Sequence, residues 1–242
     1  MASRQEEKER RKQERLEREK AEAAAAQRKR LLQIGAGVAI AAAIVVGIIV
    51  MTSGGKDDQP KPGPNPTAAV PIPDRKITDL EDAAKAANCQ LTNPPIEGSN
   101  HVATKVKYKT NPPTSGDHVP PQEVASDGNY TESVAPEPER YVHSLEHGRI
   151  VIHYKPTLPK RQVGQLLTLF GENSDTDFGL ASVGGGFTLL LKNNTQMPDD
   201  VAATAWGHLL ACKTMNDKTF DAIRAFRQRY VLQGPEKVTE PQ

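Results

Sequence analysis

Val142-His-Ser-Leu-Glu-His-Gly148-Arg-Ile-Val-Ile-His-Tyr154 is the stretch on which the fold turns. His143 and His147 are four apart, the spacing that sets two side chains on the same side of a helical turn. Gly148 closes that turn. From Arg149 the period changes. Ile150, Ile152 and Tyr154 alternate with Val151 and His153, which is the mark of a β-strand. A polar turn therefore feeds straight into a strand of the core.

Working outward, Lys160 to Phe170 carries Val163, Leu166, Leu167 and Phe170 at helical spacing. Gly186 to Leu191 and Val201 to Trp206 read as two more strands. Thr219 to Leu232 reads as a helix with Phe220, Ile223, Phe226 and Tyr230 on its apolar side, stopped by Gly234-Pro235. Upstream, Asp79 to Ala87 predicts a short helix before Cys89. Residues 88–140 are rich in Pro, Gly, Asn and Ser and read mostly as loop, and loops of that length are usually functional or cross-linked. The order strand, helix, strand, strand, helix predicts an α+β domain over residues 76–237, a small sheet with helices packed on one face. Residues 238–242 are left as a tail.

The N-terminal part is of another kind. Ile34 to Met51 is apolar and uncharged, and with Leu31 and Leu32 it is long enough for a single transmembrane helix over residues 31–51. Thirty residues precede it, no A-x-A pattern follows it, and the first cysteine is Cys89, so an uncleaved signal-anchor is expected. Arg28, Lys29 and Arg30 flank its N-terminal end. The positive-inside bias places residues 1–30, a charged solvated helix or tail, in the cytoplasm, and the C-terminal domain outside the cell membrane. Residues 52–75 hold prolines at 60, 62, 64, 66, 71 and 73 and read as a stiff, extended linker.

Formal net charge is +1, which gives no reason to expect nucleic acid as a partner. Cys89 and Cys212 both fall on the outer side, and an even pair in an oxidising compartment reads as a disulfide.

Four of the six histidines, His101, His118, His143 and His147, lie between positions 101 and 147. Imidazole is the commonest protein ligand for late first-row metals, and copper or zinc is the ion expected outside the cytoplasm. His143 and His147 can share an ion. His118, at the end of the proline-stiffened Asn111-Pro-Pro-Thr-Ser-Gly-Asp-His118 loop, can supply a third ligand, and His101, Glu146 or Asp117 can complete the shell. The plainer alternative is that these histidines only hold the turn before the strand, in an envelope module that binds a protein partner. His153 and His208 read as structural. His143 to His147 also spells H-x-x-E-H, the string of inverted zinc peptidases, which makes a metal-dependent hydrolase a third option. That string needs a long helix, whereas Gly148 and a strand follow at once. Ser115 and Ser144 sit in no nucleophile elbow, and Gly184-Gly185-Gly186 lacks the lysine of a phosphate loop. No catalytic residue is assigned, and binding is expected rather than catalysis.

Tyr108, the Asn-Pro-Pro-Thr-Ser-Gly-x-His string, Gly128-x-Tyr130, Val-His-Ser-Leu-Glu-His-Gly and Ala205-Trp206-Gly207 together resemble domain-of-unknown-function family 3105 over roughly residues 85–237. The resemblance implies a bacterial, commonly actinobacterial, protein with a single membrane anchor and an exported domain. It implies no activity. It points to His118, His143, Glu146 and His147 as signature positions, with His101 beside them.

Overall fold

The computed structural model describes residues 59–63, 70–172, 187–240 and 242. The charged segment 1–30, the apolar run 31–51, the start of the linker and Gly184-Gly185-Gly186 lie outside the described residues. Among those described, no helix is long and apolar enough to cross a membrane.

The described chain forms, in order, α1 (Leu80–Ala87), β1 (Gln90–Thr92), β2 (Gly128–Tyr130), α2 (Pro138–Glu146), β3 (Ile150–Tyr154), α3 (Lys160–Phe170), β4 (Thr188–Lys192), β5 (Val201–Ala205), β6 (His208–Cys212) and α4 (Thr219–Tyr230), with one 3-10 turn at Pro121–Glu123. The strands make one mixed sheet in the order β1-β6-β5-β3-β4-β2. The β1–β6, β6–β5 and β5–β3 pairs are antiparallel, and β3–β4 and β4–β2 are parallel. The fold is α+β, as expected.

One expectation fails. The helices are not all on one face. Ile150, Ile152 and Tyr154 of β3 pack with Leu190, Ala203 and Leu210 against α1, α3 and α4. Val151, with Leu189 and Leu191, packs on the other face against Tyr141, Val142 and Leu145 of α2. The reason is topological. The connection from β2 through α2 to β3 crosses the sheet in one direction, and that from β3 through α3 to β4 goes back in the other. Parallel crossovers are right-handed as a rule, so opposite directions put the two helices on opposite faces. β3 is buried along its whole length as a result.

Three strands and one helix fall where no regular pattern is legible in the residues. β1 and β2 have three residues each and form the two edges of the sheet, too short for alternation to show. β6 is joined to β5 by the two-residue turn Trp206-Gly207, whose glycine takes the left-handed conformation such a hairpin needs (φ 74°). α2 begins at Pro138, within the stretch read as loop.

The Cys89 and Cys212 sulfurs are bonded (2.06 Å), fastening the approach to β1 onto the end of β6. α1 is capped by Asp79, whose carboxylate accepts from Asp82 N, and it ends at Asn88 in a left-handed conformation. The described parts of the proline-rich segment lie against this unit. Gly63 N donates to Asn129 O on β2, Val70 is bonded to Thr168 on α3, and the Asp221 carboxylate of α4 accepts from Lys76 N and Ile77 N.

Candidate metal centre

Residues 97–118 cross the outer face of α2 without regular structure, and their own polar groups fix their path. The Glu97 carboxylate accepts from Lys109 N, Thr110 N and the Thr110 hydroxyl. Glu97 N donates to Ser115 Oγ, and Tyr108 donates its hydroxyl proton to Asp117 O. Gly116 (φ 136°) lies flat against the Tyr108 ring, where a Cβ would sit 2.7 Å from Cε1. At the end of this path His101 and His118 form a parallel bridge, with Val102 N donating to His118 O and His118 N to Asn100 O. That pairing sets the two rings 5.0 Å apart.

α2 supplies the rest. It presents Tyr141, Val142 and Leu145 to the sheet and His143 and Glu146 toward the loop, while His147 caps its C-terminal end. The His143 ring lies 4.7 Å from that of His118 and 4.9 Å from that of His101. His101, His118, His143 and Glu146 each offer a ligand atom, and these four atoms lie within 4.8 Å of one another. Bonds near ~2.1 Å space the donors of a filled shell about 3 to 4 Å apart, so a small contraction would close the group on one ion. His118 and His143 are fully buried, Glu146 is nearly so, and His101 is exposed.

The hydrogen bonding of His118 is informative. Its Nδ1 donates to Gly116 O at 2.8 Å, so in the neutral ring Nε2 carries a lone pair. That Nε2 is 2.9 Å from Glu146 Oε2, which is also an acceptor. Two acceptors so close repel unless a proton or a metal cation lies between them. His143 Nε2 and His147 Nε2 lie 3.1 Å apart, where one ring's N–H can donate to the other.

Burial disfavours charge here. It keeps His143 and His147 neutral and open to a metal, but it also favours the protonated form of Glu146, whose proton an arriving cation has to displace. Burial holds His143 down to about 3, with the neighbouring His147, His118 and His101 adding to the effect. His147 is also lowered by burial, against the opposing pull of Glu236. Glu146 is raised by burial, against the opposing effect of His118.

The other residues singled out from the sequence fall elsewhere. Asp117 turns its carboxylate away, to Asn100 N and Nδ2. His147 lies beside the four-donor group, next to His143 and to Glu236, whose Oε2 is 3.3 Å from its Nε2. His153 is buried in β3 against Thr204, and His208 stacks on Tyr230 at 4.0 Å. Ser144 spends its hydroxyl on Ala125 O. α2 has nine residues and ends at Glu146, so the long helix of an inverted zinc peptidase is not formed. Glu236 was not anticipated. The Gly234-Pro235 pair was legible only as a helix stop, and no local pattern ties position 236 to position 147.

A family model described as "Protein of unknown function (DUF3105)" matches residues 101–242, and the chain belongs to that family. The match spans all four residues of the group and His147 beside it. No curated protein and no solved structure matches the chain.

Proposed function

We propose that this DUF3105 protein is a membrane-anchored, extracytoplasmic domain that binds one transition-metal ion, copper or zinc, through His101, His118, His143 and Glu146, with His147 alongside. The convergence of four ligand atoms within 4.8 Å, three of them on buried residues, carries the reading. The donor set supports the choice of ion. Imidazole nitrogen with one carboxylate oxygen suits copper(II) and zinc, and thiolate is out of reach because both cysteines are in the disulfide. The same disulfide fits an oxidising compartment, and the apolar run Ile34 to Met51 supports the anchor.

The test is metal titration of the purified protein. One equivalent of Cu(II) or Zn(II) is expected to bind and raise the melting temperature, by the equivalent of about 2.7 kcal/mol at a hundredfold excess over Kd. His118→Ala and His143→Ala should abolish the rise, whereas His208→Ala, outside the group, should keep it. A protein that stays metal-free with both ions refutes the proposal, and the histidines then shape a turn in an interaction module.

A further inference from the structure

Past α4 the chain doubles back over the end of α2. Leu232 N donates to Gly148 O, and Glu236 N to Glu146 O. Two glycines make so close a crossing possible. A Cβ on Gly148 (φ 82°) would lie 2.6 Å from Leu232 Cα, and one on Gly234 would collide with Glu146 O and sit 2.5 Å from Gly148 N. Further along, Arg149 is held by both oxygens of Asp127 and donates to Val238 O and Glu240 O, while Gln242 exchanges backbone and carboxylate bonds with Asp127. The strap is thus tied at both ends, and it delivers one charged group to the metal centre, the Glu236 carboxylate.

Glu236 is more than half exposed, and its Oε2 is 3.3 Å from the nearly buried Nε2 of His147. His147 Nε2 is in turn 3.1 Å from Nε2 of the fully buried His143. The Gln242 amide nitrogen donates to Nδ1 of His147, so Nε2, turned to both neighbours, carries the proton of the neutral ring. An ion bound at Nε2 requires that proton to move to Nδ1, with the amide turned to offer Oε1 instead. Solvent is therefore linked to the buried group by donors about one ligand spacing apart. Arg149, the cation that weighs on His147, is already paired with Asp127.

Resting on the metal reading above, we propose that Glu236 and His147 form a second, outer cation station, through which a divalent ion such as copper(II) or zinc(II) passes to the four-donor group. A lone pair can serve only one metal at a time. An ion held by His147 and Glu236 meets His143 as its next ligand, and exchanges bound water for protein donors one at a time. The buried group would otherwise have to strip the ion in a single step. His101 is the other exposed donor, but it belongs to the inner group, so its loss changes affinity as well as rate. Glu236 governs rate alone.

Loading of the full chain with Co(II), followed by stopped-flow absorbance, tests this. Glu236→Gln should keep one ion per chain and the wild-type Kd, and load roughly tenfold more slowly. His147→Gln should slow loading in the same direction. Glu240→Gln removes a charge from the same strap without touching His147, and should load at the wild-type rate. Wild-type loading by Glu236→Gln overturns the proposal, as does equal slowing in Glu240→Gln, which would reveal only long-range attraction. A weakened Kd in Glu236→Gln also overturns it, making Glu236 an ordinary ligand of a single site. If the wild type takes up neither Co(II) nor, in the titration above, Cu(II) or Zn(II), the metal reading itself fails along with it.

Discussion

His153 makes acid sensitivity a property of the β3 core. Its ring is fully buried, Nε2 faces Thr204 Oγ1 at 3.1 Å, and Nδ1 meets no partner among the described residues. Burial alone pushes the imidazole from 6.5 down to about 3. The unfolded chain takes up a proton near pH 6.5 that the folded chain refuses until about pH 3. Across that window the unfolded state binds more protons, so stability falls as pH falls, by about 1.4 kcal/mol per pH unit. From about pH 7.5 down to about pH 5 the loss from this one group comes to ~2 kcal/mol. His153→Gln keeps an amide for Thr204 and cannot titrate. It should be less stable than wild type by roughly 1–3 kcal/mol near neutrality, from imperfect packing. That gap should narrow by about 2 kcal/mol on acidification to about pH 5. Urea unfolding of both proteins in chelator, at three pH values, measures it. Other groups, His143 included, are common to the two proteins and cancel in the difference. A gap that stays constant with pH would refute the claim that a neutral, dehydrated imidazole sits in β3.

Further outcomes follow from the cross-link and from the crossing under the strap. The disulfide closes a separation of 123 residues, and reducing it should cost about 5 kcal/mol in the chain-entropy view, read as a lower urea midpoint with reductant. β1, a three-residue edge strand adjoining Cys89, should be first to lose amide protection. Gly234→Ala forces a Cβ into the backbone of Glu146 and Gly148, and should destabilise by roughly 2–3 kcal/mol. Gly171→Ala serves as the contrast. Its Cβ would meet only ordinary contacts at 3.6 Å and its φ is −74°, so the urea midpoint should hold or rise slightly.

The elements that could be read were those whose burial is one-sided or whose apolar run is long. α3 was legible from Lys160 to Phe170 because Leu166 and Phe170 face the core while Lys160 and Arg161 face solvent. β3 announced itself by its aliphatic run. α2 did not, and the reason is physical. It buries Tyr141, Val142 and Leu145 against the sheet and also buries Glu139, His143, Ser144 and Glu146 on its other sides. With polar side chains inside, apolar periodicity vanishes, and the Pro-Glu-Pro-Glu start looks like loop. Tertiary contacts on both sides hold that helix, and propensity has little part in it.

The same tension explains which site residues the sequence disclosed. His143 and His147 are visible as a pair because a helical turn fixes their relation within five residues. Asp117 and His118 are neighbours, yet in an extended segment adjacent side chains point to opposite sides, so one caps Asn100 while the other enters the cluster. Only the bridge to His101 settles which of the two turns inward. Glu236 depends on a contact 89 residues away, made by two glycines whose role is absence of a side chain. Burying three imidazoles and a carboxylate in α2 and its loop costs solvation that an apolar core would not, and leaves acceptors facing one another. α4 buries polar side chains too, but Asp221 and Arg224 pair with each other and Arg227 donates to Leu169 O. In α2 and its loop an acceptor faces an acceptor, and it is that unresolved contact which supports placing the proposed ion there.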